Sequence, residues 1–310
     1  MKFLKKVTIF IISFVLIIIL LVLLDIFHFV ILYQFQKRNY RDSISVSGNT
    51  DHYVPQGLAY SEKYDVVLQT SYNSDHKVSM LYVTDFSSGK VLKKLKLKEI
   101  DQSDSLHHVG GVATDDRTVW ITSDYEVNEY SLQNILNTND GYIQSSKNHK
   151  LPIRGDFCTF HDNILWIGDF CLKPFYPVPD DNPLLLGYSN WNDYDKPEVI
   201  LSLPKMVQGL TFNDKNQFVF TTSFTNLIPS NFLIYDNILE NKSNEIYTLK
   251  GKEIPYYVFL KKDLVEKVHM PPMAEGLFFK DSSYYILFEN SSDHYFYAFP
   301  KLKNIIQYKK

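Results

Sequence analysis

The chain has 310 residues and a mass of 36.3 kDa, which is enough for one or two domains. Its 32 basic and 35 acidic side chains nearly balance and give a formal net charge of −3, so no basic field for a nucleic acid is expected. The 22 Tyr and 22 Phe residues favour β-strands, because aromatic side chains suit a pleated, half-buried surface.

The N-terminus carries a long apolar run. Three lysines precede residues 7–24, where only Thr8 and Ser13 are polar, and a bilayer core needs about 20 apolar residues. Because no small-x-small cleavage site follows, residues 1–36 are predicted to form a cytoplasmic stub and an uncleaved transmembrane anchor. The lysines favour a cytoplasmic start, which makes the protein single-pass with an extracytoplasmic C-terminal domain. A secretion signal cut within residues 43–48 is the alternative.

Five segments after the anchor repeat one pattern: a polar step, a glycine (replaced by Phe157 in the third copy), an apolar strand, a turn and a second strand. The anchoring positions are Gly57, Gly111, Phe157, Gly209 and Gly276, at intervals of 54, 46, 52 and 67 residues. Repeated units of about 50 residues with four short strands predict an all-β fold, a β-propeller of five four-stranded blades over residues 49–310. A β-sandwich is the competing fold, but it does not require the repeated x-Gly step.

Outer strands are predicted with less regularity. Third strands are expected to begin at Ser79, Phe232 and His294, and fourth strands at Lys90 and Pro197. The 67-residue interval contains "EIYTLKGKEIPYYVFL", which is either an insertion in the fourth blade or a sixth blade. Within the juxtamembrane segment 37–48, "DSISVSG" from Asp42 is predicted to add the outer strand of the last blade, because an open ring would expose sheet edges.

Polar side chains recur at both ends of each strand pair. The residues before the repeated positions are Gln56, Gly110, Asp156, Gln208 and Glu275, and those that close the second strands are Ser71, Ser123, Asp169, Ser223 and Glu289. These side chains are predicted to meet at the channel mouth. There Glu275 and Asp156 are candidate ligands of Ca²⁺, with the glutamine carbonyls completing its shell. Raised carboxyl pKa values, or simple capping of backbone N–H groups, are the alternatives.

One histidine and two cysteines add smaller predictions. His108 lies beside the glycines of the second repeat and is a candidate to contact a ligand. No His-x-His or His-Glu-x-x-His pattern supports a zinc site. Cys158 is expected opposite Trp166 or Ile167, which puts Cys171 too far along the hairpin for a direct cross-strand disulfide.

The motifs "PQGLAY", "HVGGVA", "GDFCTFHDNILWIGDF" and "PPMAEGLFF" resemble those of exported bacterial β-propeller proteins, loosely related to gluconolactonase, strictosidine-synthase-like and phytase-like propellers. The resemblance covers nearly everything after residue 50 and implies the propeller fold. In calcium-dependent lactonases of this wider group, a channel glutamate before a glycine binds the metal with Asn and Asp from other blades. Glu275–Gly276 resembles that step and Asp156 resembles the acid, but no asparagine stands at a matching inner-strand position.

The sequence therefore predicts a membrane-anchored extracytoplasmic propeller that is a binding or scaffold module rather than an enzyme. Its expected partners are the membrane, through the N-terminal helix, and a small polar ligand or another envelope protein. The alternative is a metal (Ca²⁺)-dependent hydrolase of lactonase or esterase type, in which the cation polarises a carbonyl group. No Gly-x-Ser-x-Gly, P-loop or dinucleotide glycine pattern is present.

Overall fold

The chain begins with a long helix and continues as an all-β body. The structure, a computed structural model, describes residues 2–36, 39–73, 78–98, 108–139, 141–170, 182–191, 193–226, 228–241, 243–298 and 300–309. Helix α1 (Lys2–Gln36) contains a 20-residue segment, Lys5–Leu24, that is long and apolar enough to cross a membrane. A membrane anchor and a signal sequence both have this property.

Strand β1 (Tyr40–Ser45) follows the helix, and the first two blades come next. Blade 1 consists of β2 (Val54–Ser61), β3 (Val66–Asn73), β4 (Val78–Asp85) and β5 (Val91–Lys98). Blade 2 begins with β6 (Val109–Thr114), β7 (Thr118–Ser123) and β8 (Glu126–Ser131). The chain then forms the short helix α2 (Leu132–Asn137) and β9 (Gly141–Gln144), which pairs in parallel with β5, before β10 (Lys147–Lys150) completes blade 2.

The remaining strands form three further blades. Blade 3 consists of β11 (Phe157–His161), β12 (Ile164–Gly168), β13 (Leu184–Tyr188) and β14 (Val199–Ser202). Blade 4 contains β15 (Val207–Phe212), β16 (Phe218–Thr222) and β17 (Ser230–Tyr235); a hairpin of β18 (Glu245–Leu249) and β19 (Lys252–Val258) follows, and β20 (Leu264–Met270) completes the blade. Blade 5 consists of β21 (Ala274–Lys280), β22 (Ser283–Phe288), β23 (Asn304–Lys309) and β1.

The hydrophobic core lies between the blades. Buried side chains of the described residues form five clusters, and each cluster joins two neighbouring blades, including the fifth to the first. The first strand of each blade contacts the first strands of its neighbours, so these inner strands surround a central channel. The predicted five-bladed propeller is therefore confirmed. Each apolar strand stabilises the ring because it removes its side chains from water against the next blade.

The ring is closed by the two ends of the propeller. Strand β1 pairs antiparallel with β23, with Tyr40 opposite Tyr308 and Asp42 opposite Ile306. Ile44 and Val46 are buried in the cluster between blades 5 and 1. Residues 37–48 thus contain the outer strand of blade 5, and the propeller begins before residue 49. The edge of β23 that would otherwise pair with another chain is covered.

Two details of the strand arrangement differ from the sequence-based predictions or decide between them. The third strand of blade 5 is β23. The predicted strand at His294 is wrong, because Asp293–Tyr295 forms a 3-10 helix there. In that turn the Ser292 hydroxyl accepts a hydrogen bond from His294 N at 3.1 Å. The extra sequence of the 67-residue interval is an insertion and not a sixth blade, because the β18–β19 hairpin extends blade 3 through parallel pairing of β19 with β14.

The hairpin that contains the first cysteine has the predicted register. Cys158 lies opposite Ile167, and its thiol is buried and free. Burial raises the pKa of this thiol to about 12, so it is protonated and unreactive near neutral pH. Cys171 lies outside the described residues.

Candidate functional site

The repeated x-Gly step forms a β-bulge at the start of the inner strands. The register of β2 against β3 shifts between Pro55 and Leu58, so Gln56 and Gly57 together face Thr70. Blades 2, 4 and 5 show the same shift at their x-Gly steps. A bulge bends the strand and redirects a side chain, which explains why the residue before the glycine projects toward the channel instead of into the sheet.

Threonine side chains on the second strands hold these bulges together. Gly57 N donates to Thr70 Oγ1 at 2.9 Å, and the same hydroxyl donates to Gly110 O of blade 2 at 2.8 Å. Thr122 accepts from Gly111 N at 2.9 Å. Each hydroxyl pairs a backbone group that the bulge leaves without a ladder partner. The sequence pattern pointed to the serine that follows these threonines and missed their role.

Blade 3 departs from the bulge, as its sequence departs from the glycine. Phe157 pairs in regular register with Gly168. A Cβ atom on Gly168 would lie 2.1 Å from the Phe157 ring, so the large inner side chain occupies the space left by a glycine on the second strand. The missing side chain at Gly168 thus provides the room that the Phe157 ring needs.

Glu275 and Glu289 meet at the end of the channel where the inner strands begin. Glu275 is 2 % exposed, and its Oε1 is buried with no hydrogen-bond partner. Glu289 is half-buried and accepts a hydrogen bond from Gln56 Nε2 to its Oε1 at 2.5 Å. Three predicted site residues from blades 1 and 5 therefore lie together. We call this end, with Gln56, Asp156, Glu275 and Glu289, the carboxyl mouth.

The two glutamates have strongly perturbed pKa values. Burial, with the Glu289 charge second and the Asp156 charge third, raises the pKa of Glu275 well above its ordinary value of 4.5. Burial also raises the pKa of Glu289 to about 7, although the hydrogen bond from Gln56 favours its ionised form. Both carboxyl groups of the mouth therefore ionise at higher pH than usual, and Glu289, with a pKa of about 7, is about half ionised near neutral pH.

Asp156 is part of the carboxyl mouth, and its carboxylate forms an ion pair with Arg154. Arg154 Nε lies 3.0 Å from Asp156 Oδ1, and Phe170 N donates to Asp156 Oδ2 at 2.7 Å. Burial raises the pKa of Asp156, whereas the Arg154 charge and the Phe170 hydrogen bond oppose the shift. Arg154 was not predicted as a site residue. Its position two residues before Asp156 was the only feature of the sequence that could have indicated this ion pair.

Aromatic side chains surround the glutamates. Tyr72 and Tyr295 hydrogen-bond to each other, and burial, followed by the Glu289 charge, raises the pKa of both phenols. The His108 ring packs against Tyr72 with the ring centres 4.2 Å apart. Burial lowers the pKa of His108, which favours the neutral imidazole. His108 thus borders the predicted site, whereas the role of the two tyrosines was missed.

The other two predicted residues have different surroundings. Asp169 caps a strand: its Oδ1 accepts a hydrogen bond from Leu184 N at 2.5 Å, and its backbone N–H donates to Leu184 O at 3.1 Å. The capping interpretation thus describes this residue. Gln208 is half-buried before Gly209, where an added Cβ would lie 2.7 Å from Glu275 O, so it shares the level of the mouth.

The described side chains do not fit the predicted calcium site. Ca²⁺ takes six to eight oxygen ligands, but the Asp156 carboxylate is bound by the Arg154 guanidinium, and Gln56 turns its N–H side toward Glu289. Within the described part of the chain, no group of three or more His, Cys, Asp or Glu side chains is arranged to hold a metal ion. The carboxyl mouth therefore does not offer the ligand shell that a hard cation requires.

A cavity of about 370 Å³ lies at the other end of the inner strands. All five blades contribute to its wall, among them Tyr60, Thr114, His161, Phe212 and Phe279. None of the predicted site residues lines it. Phe279 pairs with Tyr284, Tyr284 with Tyr308 and Tyr308 with Tyr40, so strand β1 starts at this end of the channel.

The raised carboxyl pKa values predict how stability depends on pH. Between pH 4.5 and about 7 the folded protein binds more protons at Glu289 than the unfolded chain, so this contribution to stability is lost as pH rises through that window. Glu275 acts in the same direction, whereas His108 acts in the opposite one. We expect Glu289→Gln to flatten the fall in melting temperature relative to wild type, measured by circular dichroism across this range. Wild-type-like pH dependence in Glu289→Gln would refute the assignment, and the exposed Glu245→Gln is the control.

Comparisons with known proteins find similar solved structures but no family. No protein-family model matches the chain, and no curated protein matches it significantly. Glutaminyl cyclase of Myxococcus xanthus is similar with a TM-score of 0.48 and 8% identity over 86% of this chain and 94% of that one. The PQQ-bound aldose sugar dehydrogenase of Streptomyces coelicolor gives 0.43 and 14% over 80% and 76%. The β-propeller domain of the trilobed protease of Pyrococcus furiosus gives 0.38 and 10% over 75% and 62%. At these TM-scores and identities, the similarities indicate no activity for this chain.

Proposed function

We propose that this protein is a membrane-anchored extracytoplasmic β-propeller that serves as a binding or scaffold module, with a polar-ligand site at the carboxyl mouth. One observation carries the proposal: Glu275 Oε1 is buried without a hydrogen-bond partner, next to the second carboxyl group of Glu289. An unsatisfied buried acceptor costs about 1–3 kcal/mol, more if charged. A ligand with a hydrogen-bond donor would remove that cost.

The anchor gives the site an orientation. The apolar segment Lys5–Leu24 would span the bilayer, with the lysines at its start on the cytoplasmic side. Between the span and β1 lie the rest of α1, about 18 Å of helix, and three residues that reach about 10 Å when extended. β1 starts at the end of the channel with the 370 Å³ cavity, and the proposal places this end toward the membrane. The carboxyl mouth then faces away from the membrane, toward a small ligand or another envelope protein.

The metal-dependent hydrolase has less support. It requires a cation to polarise the substrate carbonyl, and the described residues at the mouth do not supply a calcium shell. The raised pKa values alone do not indicate catalysis, because an unliganded binding site with two close carboxyl groups shows the same shifts.

The proposal is tested by calorimetric titration of the full-length chain in detergent micelles. The titrants are calcium chloride, acetamide and methylammonium chloride, which represent a hard cation, a neutral donor and a charged donor. We expect at least one titrant to bind the wild type and the Glu245→Gln control equally, and to bind Glu275→Gln at least about tenfold more weakly. If no titrant gives binding heat, or if binding is unchanged in Glu275→Gln, the proposed ligand site at the carboxyl mouth is refuted. Binding of calcium alone would instead favour the hydrolase.

A further inference from the structure

The hydrogen bonds at the carboxyl mouth show which kind of group is missing. The Gln56 amide donates to Glu289 Oε1 at 2.5 Å and to Pro55 O at 3.0 Å. Both of its N–H groups are therefore used, and its carbonyl oxygen is the acceptor that remains. Glu275 Oε1 receives no donor at all. Among Gln56, Glu275 and Glu289, acceptor oxygens without a donor therefore remain, whereas both amide N–H groups of Gln56 are already used.

We infer that the carboxyl mouth binds a primary ammonium group, carried by a free alkylamine or by a lysine side chain. The inference rests on the proposed function. An ammonium group offers three donors and one positive charge on a slender stem. The Glu275 and Glu289 carboxyl oxygens and the Gln56 carbonyl provide acceptors for these donors. An ion that needs six to eight oxygen ligands finds too few here, and a planar guanidinium already occupies the Asp156 side of the site.

Binding of the ammonium group replaces a proton. The groups that interact electrostatically with Glu275 are Glu289, Asp156, Tyr72 and Tyr295, with Arg154 beyond Asp156. Burial and the charges of Glu289 and Asp156 raise the pKa of Glu275, which favours its protonated form in the free protein. A bound cation favours the ionised form instead: where the Glu275 carboxyl group is protonated, an alkylammonium and this carboxylic acid give an ammonium–carboxylate pair and one proton released to solvent. No bond other than O–H breaks.

Exposed aromatic residues near the carboxyl mouth would distinguish a lysine side chain from a free alkylamine. Phe296 is 83% exposed and Tyr297 is 57% exposed, and both follow Tyr295 in the loop that reaches the site. Tyr125, at 58% exposed, lies in the turn beside Asp124, whose carboxylate is 3.6 Å from Arg154 Nε. Exposed aromatic residues around a polar centre are typical of surfaces that contact polypeptide. A lysine on a bound segment would use these aromatic residues, whereas a free amine would not.

The inference is tested by titrating the full-length chain in detergent with n-butylamine, n-butanol and acetamide, and with acetyl-glycyl-lysyl-glycinamide and its norleucine counterpart. We expect butylamine and the lysyl peptide to bind, and butanol and the norleucine peptide not to bind. Glu275→Gln and Glu289→Gln should each weaken amine binding about tenfold or more, which corresponds to roughly 1.4 kcal/mol. In buffers of different ionisation enthalpy, the heat should show a net release of protons on amine binding, because a bound cation lowers the raised carboxyl pKa values.

The variants separate the possible outcomes. Tighter binding of the lysyl peptide than of butylamine, lost in Phe296→Ala, would assign the site to a protein lysine; equal binding, unchanged in Phe296→Ala, would assign it to free amines. Binding of acetamide but not of butylamine, lost in Glu275→Gln, would overturn the ammonium inference and leave the proposed mouth site standing. Amine binding that is unchanged in both glutamine variants would overturn the inference as well. If Glu275→Gln does not fold, Glu289→Gln gives the same test at the half-buried carboxyl group.

Discussion

Deletion of residues 42–48 is expected to lower the melting temperature of the protein by more than about 10 °C. The deletion removes most of β1, which is the outer strand of blade 5, and leaves the edge of β23 unpaired. It also removes Ile44 and Val46 from the core cluster between blades 5 and 1. Burial of such side chains contributes about 1.5–3 kcal/mol each. A loss of about 5 kcal/mol corresponds to roughly 10–20 °C for a domain of this size.

The same segment also ties blade 5 to blade 1 through polar contacts. Ser47 N donates to Gln69 Oε1 at 3.1 Å, and Gln69 Nε2 donates to Ser47 O at 2.9 Å, both in a buried setting. Removal of the segment leaves the Gln69 amide without these partners in the core, which adds to the loss. The effect should therefore exceed that of removing one edge strand from an open sheet.

Differential scanning calorimetry of the full-length protein measures this effect. The matched control is Arg41→Ala, an exposed side chain on the same strand, which should change the melting temperature by no more than about 1–2 °C. Ile44→Ala should lower the free energy of unfolding by about 2–5 kcal/mol, so its melting temperature should lie between those of the deletion variant and Arg41→Ala. A melting profile of the deletion variant that matches the wild type would show that β1 does not hold the ring together.

Much of this fold was predictable because the repeat is local. The x-Gly step, the two strands and their turn lie within about 20 residues, and this spacing indicates a hairpin and hence a blade. The outer strands were less predictable since nothing local marks them. The segment at His294 has the aromatic content of a strand, yet Ser292 caps a 3-10 turn there, and Phe296 is left in solvent.

The β18–β19 hairpin shows a second limit. Its two strands are recognisable in the sequence, but its partner is β14, more than 40 residues earlier, in a parallel pairing. Parallel pairing carries no turn signal, so spacing alone left an insertion and a sixth blade equally open. The pairing becomes visible only when blades 3 and 4 are placed side by side.

The carboxyl mouth was predictable in position and less so in chemistry. The bulge at each x-Gly step fixes where Glu275 and Gln56 project, so their meeting follows from the repeat. That Asp156 is already paired with a cation depends on the rotamer of Arg154, which no spacing rule specifies. The same applies to Tyr295, which comes from an irregular turn rather than from a repeated strand.

The second large effect is expected at Gly111, where the inner strands of blades 2 and 3 approach most closely. A Cβ atom on Gly111 would lie 2.1 Å from Cys158 N and 2.6 Å from Phe157 C. These are backbone atoms, which cannot rotate away as the end of a flexible side chain can. Gly111→Ala must therefore separate the two blades, and the N–H of Gly111 must move from Thr122. We expect a loss of about 3 kcal/mol or more, at the upper end of the cost of overpacking a core.

The control for Gly111→Ala is Gly251→Ala, at the tip of the β18–β19 hairpin. Gly251 has a φ of +77°, but a Cβ atom there would meet nothing within 4 Å, so this substitution costs only backbone strain of about 1 kcal/mol. Chemical denaturation of both variants should place Gly111→Ala at least about 2 kcal/mol below Gly251→Ala. If both variants lose the same free energy, the close contact of blades 2 and 3 does not require glycine. The x-Gly step would then be needed for the bulge that positions Gln56 and Glu275, and Gly57→Ala and Gly276→Ala should weaken ligand binding more than they lower stability.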